Sequence, residues 1–473
     1  MKITQGAPKV EISTTNRKIT AHAGAVLVRA TAEAIGLGPA VDAHLRLKVR
    51  DRGLSEAESI LGMAEALAVG AKCLDDLEVA RADGVQEELR GFGVPPPQTA
   101  GRFLRRFCLG HIGQLNKALR QVLLRALSLV GLGEAITLDF DSTYIRSRSS
   151  RRQGADPTYL KRYALHPLLC FIAESGICLH AKLRRGRVHT AKGLLPFVDE
   201  CLRRIPRGVA VRARFDSGFH NEKLFEALEC RDVTYLCGVA LNPRILGVIR
   251  EIDDWAWSAC VDKDEGEVAE FGDRQADSKV FRRYVVKRIP RNHGEQLDLE
   301  TGPYNYWVLV TNDHAADAAA LESEHRHKAL VESGVRELKE NFGLEVLRKH
   351  QFMANWAWLL IVVTAHNLIR LTQLLGRVEP DADLRGKRFR YRYLVVPGLL
   401  VRTGRRLMLK LGEDYPLFDR LWPPTLACAH FLQPDRDTLC PYQPQPSPAA
   451  LTRLRGQFSR RSGPSETAER GRC

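Results

Sequence analysis

The sequence predicts an α/β protein: a mixed sheet flanked by helices, interrupted by a β-rich insertion and preceded by a helical N-terminal domain. Three observations carry this reading. Apolar residues keep helical spacing from Gly24 to Leu129, as in Ala57, Ile60, Leu61, Ala64 and Leu67. After Gly133 the chain turns to short runs rich in β-branched and aromatic residues, separated by turns or helical stretches. Helical periodicity returns from Ala315.

Each element follows from these patterns. Residues 1–130 form the helical N-terminal domain. Within it Pro95-Pro96-Pro97, Thr99 and then Phe103, Leu104 and Phe107 give a breaker, a capping-type residue and an amphipathic helix. That order suits a DNA-reading helix, and equally a loop entering an ordinary core helix. Residues 131–241 carry strands at 135–145, 167–173, 177–183, 209–215 and 233–239, with a helix over 191–204; three strands in series, then strand, helix, strand, suggest a mixed sheet. Residues 242–312 read as a β-rich insertion through Trp255-Ala256-Trp257, 281–286 and 306–310. Trp255 and Trp257 share one face of their expected strand, where they pack the small β-unit; stacking on a displaced base is a role that only the family resemblance described below implies for such an aromatic. Residues 313–380 are helical with a break near Phe342-Gly343, and 381–433 read as a further helical region. Residues 434–473, rich in Pro, Ser, Gly and Arg, read as a disordered basic tail.

Composition narrows the function classes. At 473 residues and 44% hydrophobic content the chain can bury a sizeable core. Its 71 Lys and Arg against 56 Asp and Glu, a net charge of +15, point to a polyanionic partner, most simply nucleic acid. A membrane surface would need an anchor, and the most apolar run, 356–369, is broken by Thr364, His366 and Asn367 and reads as a buried helix too short to span. The 11 cysteines include no Cys-x-x-Cys pair, which excludes a zinc knuckle or a redox motif of that kind. An N-terminus without the apolar core of a signal peptide points to the reducing cytoplasm.

Three segments could carry chemistry. In Thr137-Leu138-Asp139-Phe140-Asp141-Ser142-Thr143 the alternation of a strand puts Asp139 and Asp141 on one face, where carboxylates are costly unless they bind a cation or accept several hydrogen bonds. In Arg214-Phe215-Asp216-Ser217-Gly218-Phe219 a β-run ends at an aspartate followed by a turn and a helix, the usual position of a site in an α/β sheet and also a common helix cap. In the helix beyond, His325, Glu332 and Lys339 recur every seven residues with Lys328 and Arg336 beside them, so one acid sits among cations in a single stripe. Such a stripe suits a metal ligand flanked by phosphate-holding cations, or a solvated face of Glu-Lys pairs.

Taken together, the three segments resemble the DDE transposases of bacterial insertion sequences, in particular the branch grouped around insertion sequence 1380. There the first aspartate sits in a Leu-Asp-x-Asp strand, the second in an Arg-x-Asp-Ser-Gly-Phe stretch, and the glutamate follows a β-rich insertion; all three occur here in that order. The family's Tyr, Arg, Glu and Lys intervals fall on His325, Lys328, Glu332 and Lys339, with Tyr replaced by His and Arg by Lys, so a guanidinium fork becomes a point charge. The resemblance implies a ribonuclease-H-like catalytic core, catalysis by Asp141, Asp216 and Glu332, and two Mg²⁺ or Mn²⁺ ions held by the same three carboxylates. It selects Asp141 because Asp141-Ser142-Thr143 fits the pattern of Asp followed by Ser or Thr; Asp139 stands as the alternative, and Glu337 and Glu340 also lie on the last helix.

The implied reaction is strand cleavage and strand transfer on double-stranded DNA, with the element's terminal inverted repeats and the target as partners and a homodimer in the synaptic complex. A nuclease of the same core, or an inactive DNA-binding derivative, would share these residues. Residues 144–188 hold ten Lys or Arg against two acids, more than half of the chain's excess charge. We expect the DNA path there, through Arg146, Arg148, Arg184, Arg185 and Arg187, and at His325, Lys328, Arg336 and Lys339 on the glutamate helix.

Overall fold

The computed structural model describes residues 12–50, 52–158, 161–261, 266–274, 280–291, 301–327, 329–347, 349–376, 385–404, 406–413 and 415, except for the side chains of 329–332. A short strand, β1 (Ile19–Thr20), leads into α1 (Ala25–Ala34), α2 (Leu37–His44), α3 (Glu56–Val69), α4 (Leu77–Ala82), α5 (Gly84–Arg90), α6 (Pro97–Arg105) and α7 (Leu109–Val130). Local signals set their starts. Ser55 and Glu58 close a reciprocal capping box on α3. Pro97 occupies the first turn of α6, where its missing N–H is no loss, so Thr99 lies inside that helix rather than capping it. Phe103, Leu104 and Phe107 are buried, so this face of the segment is core.

The sheet region follows as β2 (Ala135–Ser142), β3 (Ile145–Arg146), β4 (Asp156–Pro157), β5 (Tyr163–Leu165), β6 (Leu168–Ile172), β7 (Cys178–Lys182), α8 (Leu194–Leu202), β8 (Ala210–Phe215), α9 (Glu222–Glu229), β9 (Thr234–Val239) and α10 (Pro243–Arg250). The insertion adds β10 (Ser258–Ala259), β11 (Glu267–Asp273), β12 (Arg282–Pro290) and β13 (Tyr304–Thr311). Nine strands form one mixed sheet in the order β10-β11-β12-β13-β9-β8-β2-β6-β7 among the described residues. β2, β8 and β9 run parallel, and every other pairing is antiparallel. The insertion is therefore not a separate β-unit. β13 pairs with β9, Val308 in register with Val239, and extends the same sheet. The two tryptophans do not share a strand face. Trp255 sits exposed in a 3₁₀ turn (Asp254–Ala256) that the Asp253-Asp254 pair starts, whereas Trp257 is buried with the Arg288 guanidinium 4.1 Å from its ring centroid.

Beyond the sheet come α11 (Ala318–Arg326), α12 (Ala329–Phe342), α13 (Phe352–Leu375), α14 (Gly386–Phe389), β14 (Gly398–Thr403) and β15 (Arg406–Leu411). The expected break at Phe342-Gly343 separates α12 from α13. At 24 residues α13 is long and apolar enough, by length and composition, to cross a membrane, which corrects the expectation of a run too short to span; Phe352-Met353-Ala354 and the segment beyond Ile369 lengthen it. Here it is almost wholly buried, packed by α1, α3, α6, α7 and α12 and against β7. One contiguous apolar cluster runs from Ala23 through the sheet to Val396, so the N-terminal helices share a core with the sheet region. Region 381–433, expected to be helical, contains among its described residues a short helix, α14 continued by a π-helical turn over Arg390–Leu394, and a β14–β15 hairpin, with β14 also paired to β1. Pairing with β1, at the opposite end of the sequence, supplies what local periodicity could not announce. The expected tail at 434–473 lies outside the described residues.

Candidate active site

Asp139 and Asp141 occupy the same face of β2, opposite Phe140, which packs on Phe215 and on Phe197 of α8. On the neighbouring parallel strand Asp139 is in register with Arg214. Two residues further along each strand stand Asp141 and Asp216, and Asp216 keeps extended backbone angles (φ −77°, ψ 165°). The two residues therefore lie at the ends of adjacent parallel strands, two positions beyond their last paired register, on strands spaced about 4.8 Å apart where they pair. Asp141 is half-buried and Asp216 exposed. The chain leaves Asp216 through a tight turn pressed on β9: a Cβ on Gly238 would lie 2.9 Å from the Ser217 nitrogen, so only glycine lets the turn approach.

Asp139 has a different role. It is fully buried, and the Arg214 guanidinium grips it with two bonds of 2.6 Å, Nε to Oδ1 and Nη2 to Oδ2. Arg214 Nη1 also donates to the Glu324 carbonyl at 2.6 Å, tying β2, β8 and α11 together. Sequence reading quoted Arg214 in a motif and missed this function. The available signal was an arginine set between Ala213 and Phe215 at the apolar end of the strand.

The glutamate segment is not one helix. α11 ends at Arg326 and α12 begins at Ala329, so the seven-residue recurrence of His325, Glu332 and Lys339 does not form a single stripe. α11 packs on β11 and β12, whereas α12 packs on β2, β6 and α13, and each helix follows its own part of the sheet. No Pro or Gly marks the junction in the sequence. His325, at the end of α11, brings Nε2 to 3.3 Å from the Phe215 carbonyl, directly before Asp216. Lys328 lies outside the described residues, and Glu332 is placed by its backbone as the fourth residue of α12. α12 covers the face that bears the aspartates: Phe171 is the cross-strand neighbour of Asp139, and a Cβ on Gly334 would stand 3.1 Å from its ring. Arg336 is exposed and Lys339 half-exposed on α12. Glu337, by contrast, is buried, with burial raising its carboxyl but His366 and Arg370 prevailing to bring it down to about 2. Among the residues described with side chains, no group of three His, Cys, Asp or Glu converges as a metal set; Glu332 stands outside them.

A second network, also missed in the sequence, backs Asp141. Ser142 donates its amide to Asp141 Oδ1 at 2.6 Å, and its hydroxyl lies 3.0 Å from His166 Nε2. His166 Nδ1 stands 3.0 Å from the Val188 carbonyl, which can only accept, so Nδ1 carries the proton and Nε2 accepts from Ser142. Tyr144 stacks on the imidazole at 4.1 Å. Burial, helped by the Arg184 charge, pushes His166 down to about 4 and keeps it neutral.

This network overturns one expected DNA contact. Arg184 is buried, with Nε donating to the His166 carbonyl at 3.0 Å and Nη1 to the carbonyls of His189, Thr190 and Lys192 at 3.3, 2.8 and 3.1 Å. Its guanidinium staples the 184–192 turn and does not face solvent. Arg146 and Arg148 are exposed. Arg185 and Arg187 are exposed too, with Asp156 at 3.1 and 3.8 Å.

The site is thus a pair of carboxylates at parallel strand ends, overlain by the helix bearing a third and bordered by arginines. No curated protein matches the chain. Among solved structures it is similar to the piggyBac transposase in a synaptic complex with hairpin DNA, determined by cryo-EM, at 13% identity and a TM-score of 0.40 over 80% of this chain and 82% of that one. The family model described as transposase DDE domain group 1 matches residues 3–427, nearly the whole chain, and the chain belongs to this family of DDE transposases.

Proposed function

We propose that the chain cuts and rejoins DNA strands as the transposase of a bacterial insertion sequence, of the group around insertion sequence 1380, moving its element by cut-and-paste. The observation that carries the proposal is the placement of Asp141 and Asp216 at the ends of adjacent parallel strands, on the sheet face covered by the helix that bears Glu332. The order β7-β6-β2-β8-β9, with the last three parallel, supports a ribonuclease-H-like core. Asp141 is the better first ligand, because Arg214 already occupies Asp139.

The donors are all hard carboxylate oxygens, a set that fits Mg²⁺ or Mn²⁺. Two such ions held by Asp141, Asp216 and Glu332 would supply Lewis-acid stabilisation of the attacking and leaving oxygens in an in-line displacement at a DNA phosphate. The protein's own groups hold the frame. Arg214 fixes the strand ends, His166 and Ser142 hold the loop behind Asp141, and His325 docks α11 on the strand carrying Asp216. Arg146, Arg148, Arg185 and Arg187, with Lys328, Arg336 and Lys339, position the strand through its phosphates, while the N-terminal helices engage the terminal repeat of double-stranded DNA in a dimeric synapse.

The test mixes purified protein with DNA bearing the host element's ends, target DNA and Mg²⁺. Nicks at the element boundary followed by joined products are expected, and Asp216→Ala or Asp141→Ala should reduce both by roughly a thousandfold or more. Cut ends that are never joined would mark a nuclease; binding without cutting would mark an inactive derivative.

A further inference from the structure

We propose that a groove between α6 and the segment joining α12 to α13 binds the phosphate backbone of duplex DNA and continues the track that begins at Arg146. The partner class rests on the transposase reading above; the groove itself rests on geometry.

The groove is open, about 450 Å³, and lined mainly by Asp75, Gln98, Gly101, Arg102, Arg105 and Lys349. Gly101 faces into it from α6. A Cβ built there would lie 3.4 Å from Arg105 Nη1 and 3.8 Å from Lys349 Nζ, so the two cations stand no more than about 7 Å apart over one small residue. Neither side chain makes a hydrogen bond or an ion pair with the described residues. Burial first, and then the Arg105 charge, pull the Lys349 ammonium below the ordinary lysine range, with Asp75 and Cys73 opposing. Two like charges held this close, with Asp75 as the one carboxylate among the residues lining the groove, are stabilised by an anion.

The position of Lys349 is built rather than incidental. Its N–H donates to Asn355 Oδ1 at 3.0 Å and its carbonyl accepts from Asn355 Nδ2 at 2.8 Å, and Asn355 is fully buried. The groove also adjoins the basic segment. The His350 carbonyl accepts from the Gln153 N–H at 2.9 Å, and Gln153 Oε1 accepts from the Phe352 N–H at 3.1 Å. Gln153 directly follows Arg151-Arg152, so the expected track from Arg146 and Arg148 runs to the edge of this groove. The apolar side chains of the lining are Leu74 and Pro97 alone, a small anchor for an acidic protein segment, whereas a phosphate backbone needs only the charges of Arg102, Arg105 and Lys349.

The experiment measures binding of a random-sequence DNA duplex as a function of salt. Removing both charges with Arg105→Gln and Lys349→Met should lower the slope of log Kobs against log salt by about 1.8, two phosphate contacts' worth. The charge-keeping pair Arg105→Lys and Lys349→Arg should retain the wild-type slope, and the melting temperature of both variants should match wild type, which separates lost contacts from lost fold. An unchanged slope in the neutral variant overturns the groove. So does polyglutamate competition that depends on both residues as strongly as DNA binding does, since the occupant is then an acidic protein. If the slope is unchanged while metal-dependent cleavage persists, only the groove falls; if wild type binds DNA through these residues but never cuts the element's ends, only the transposase reading falls.

Discussion

Asp139 and Asp141 stand two residues apart on the same strand face, in different surroundings. Burial and a bidentate guanidinium make Asp139 a structural anion, while Asp141 is half-buried near the end of the strand and accepts from the Ser142 amide. The sequence could show that two carboxylates share a face, but not which one an arginine on another strand would hold. The same limit applied to Arg184, which reads as one of a run of surface cations and is in fact buried beneath four carbonyl contacts. His166 yields a pH prediction. Its pKa falls from 6.5 in the unfolded chain to about 4 in the fold, through burial and the Arg184 charge. Between those values the unfolded chain binds a proton that the folded one excludes, so the histidine's contribution is complete above about pH 6.5 and is lost as pH falls towards 4. Melting temperature should therefore drop on acidification across that window, and His166→Phe should flatten the drop. Parallel curves for variant and wild type would contradict the assignment.

At the level of elements, β2, β6, β7, β8 and β9 were legible within a few residues, because buried strands concentrate β-branched and aromatic side chains between turns. Two features were not. The break between α11 and α12 is imposed by packing on different parts of the sheet, and the β14–β15 hairpin depends on pairing with β1 from the far end of the chain. The junction of β2 and β8 is the element contact on which the site depends, and the buried Asp139–Arg214 pair is its lock. Removing one partner leaves a buried charge uncompensated, so Asp139→Ala should lower unfolding free energy by about 3–5 kcal/mol in denaturant titrations. Replacing both residues with apolar ones of similar volume should recover part of that. A loss below about 1 kcal/mol for Asp139→Ala would show that the pair does not lock the strands.

For the whole molecule, the sheet brings together residues that the sequence keeps far apart: Asp141 and Asp216 meet through a parallel pairing whose register no local pattern encodes. The N-terminal helices, expected as a domain of their own, instead wrap α13 and share its apolar core, so the body that would grip the element's end is continuous with the body that would cut it. The spacing of His325, Glu332 and Lys339, expected as one stripe, falls on a segment whose helix is in two pieces. Crystals soaked in Mn²⁺ and measured at its absorption edge test the central claim most directly. The account predicts anomalous density between the carboxylates of Asp141 and Asp216, with Glu332 completing the coordination. Density absent from that position, or ligated by Asp139 in place of Asp141, would contradict it.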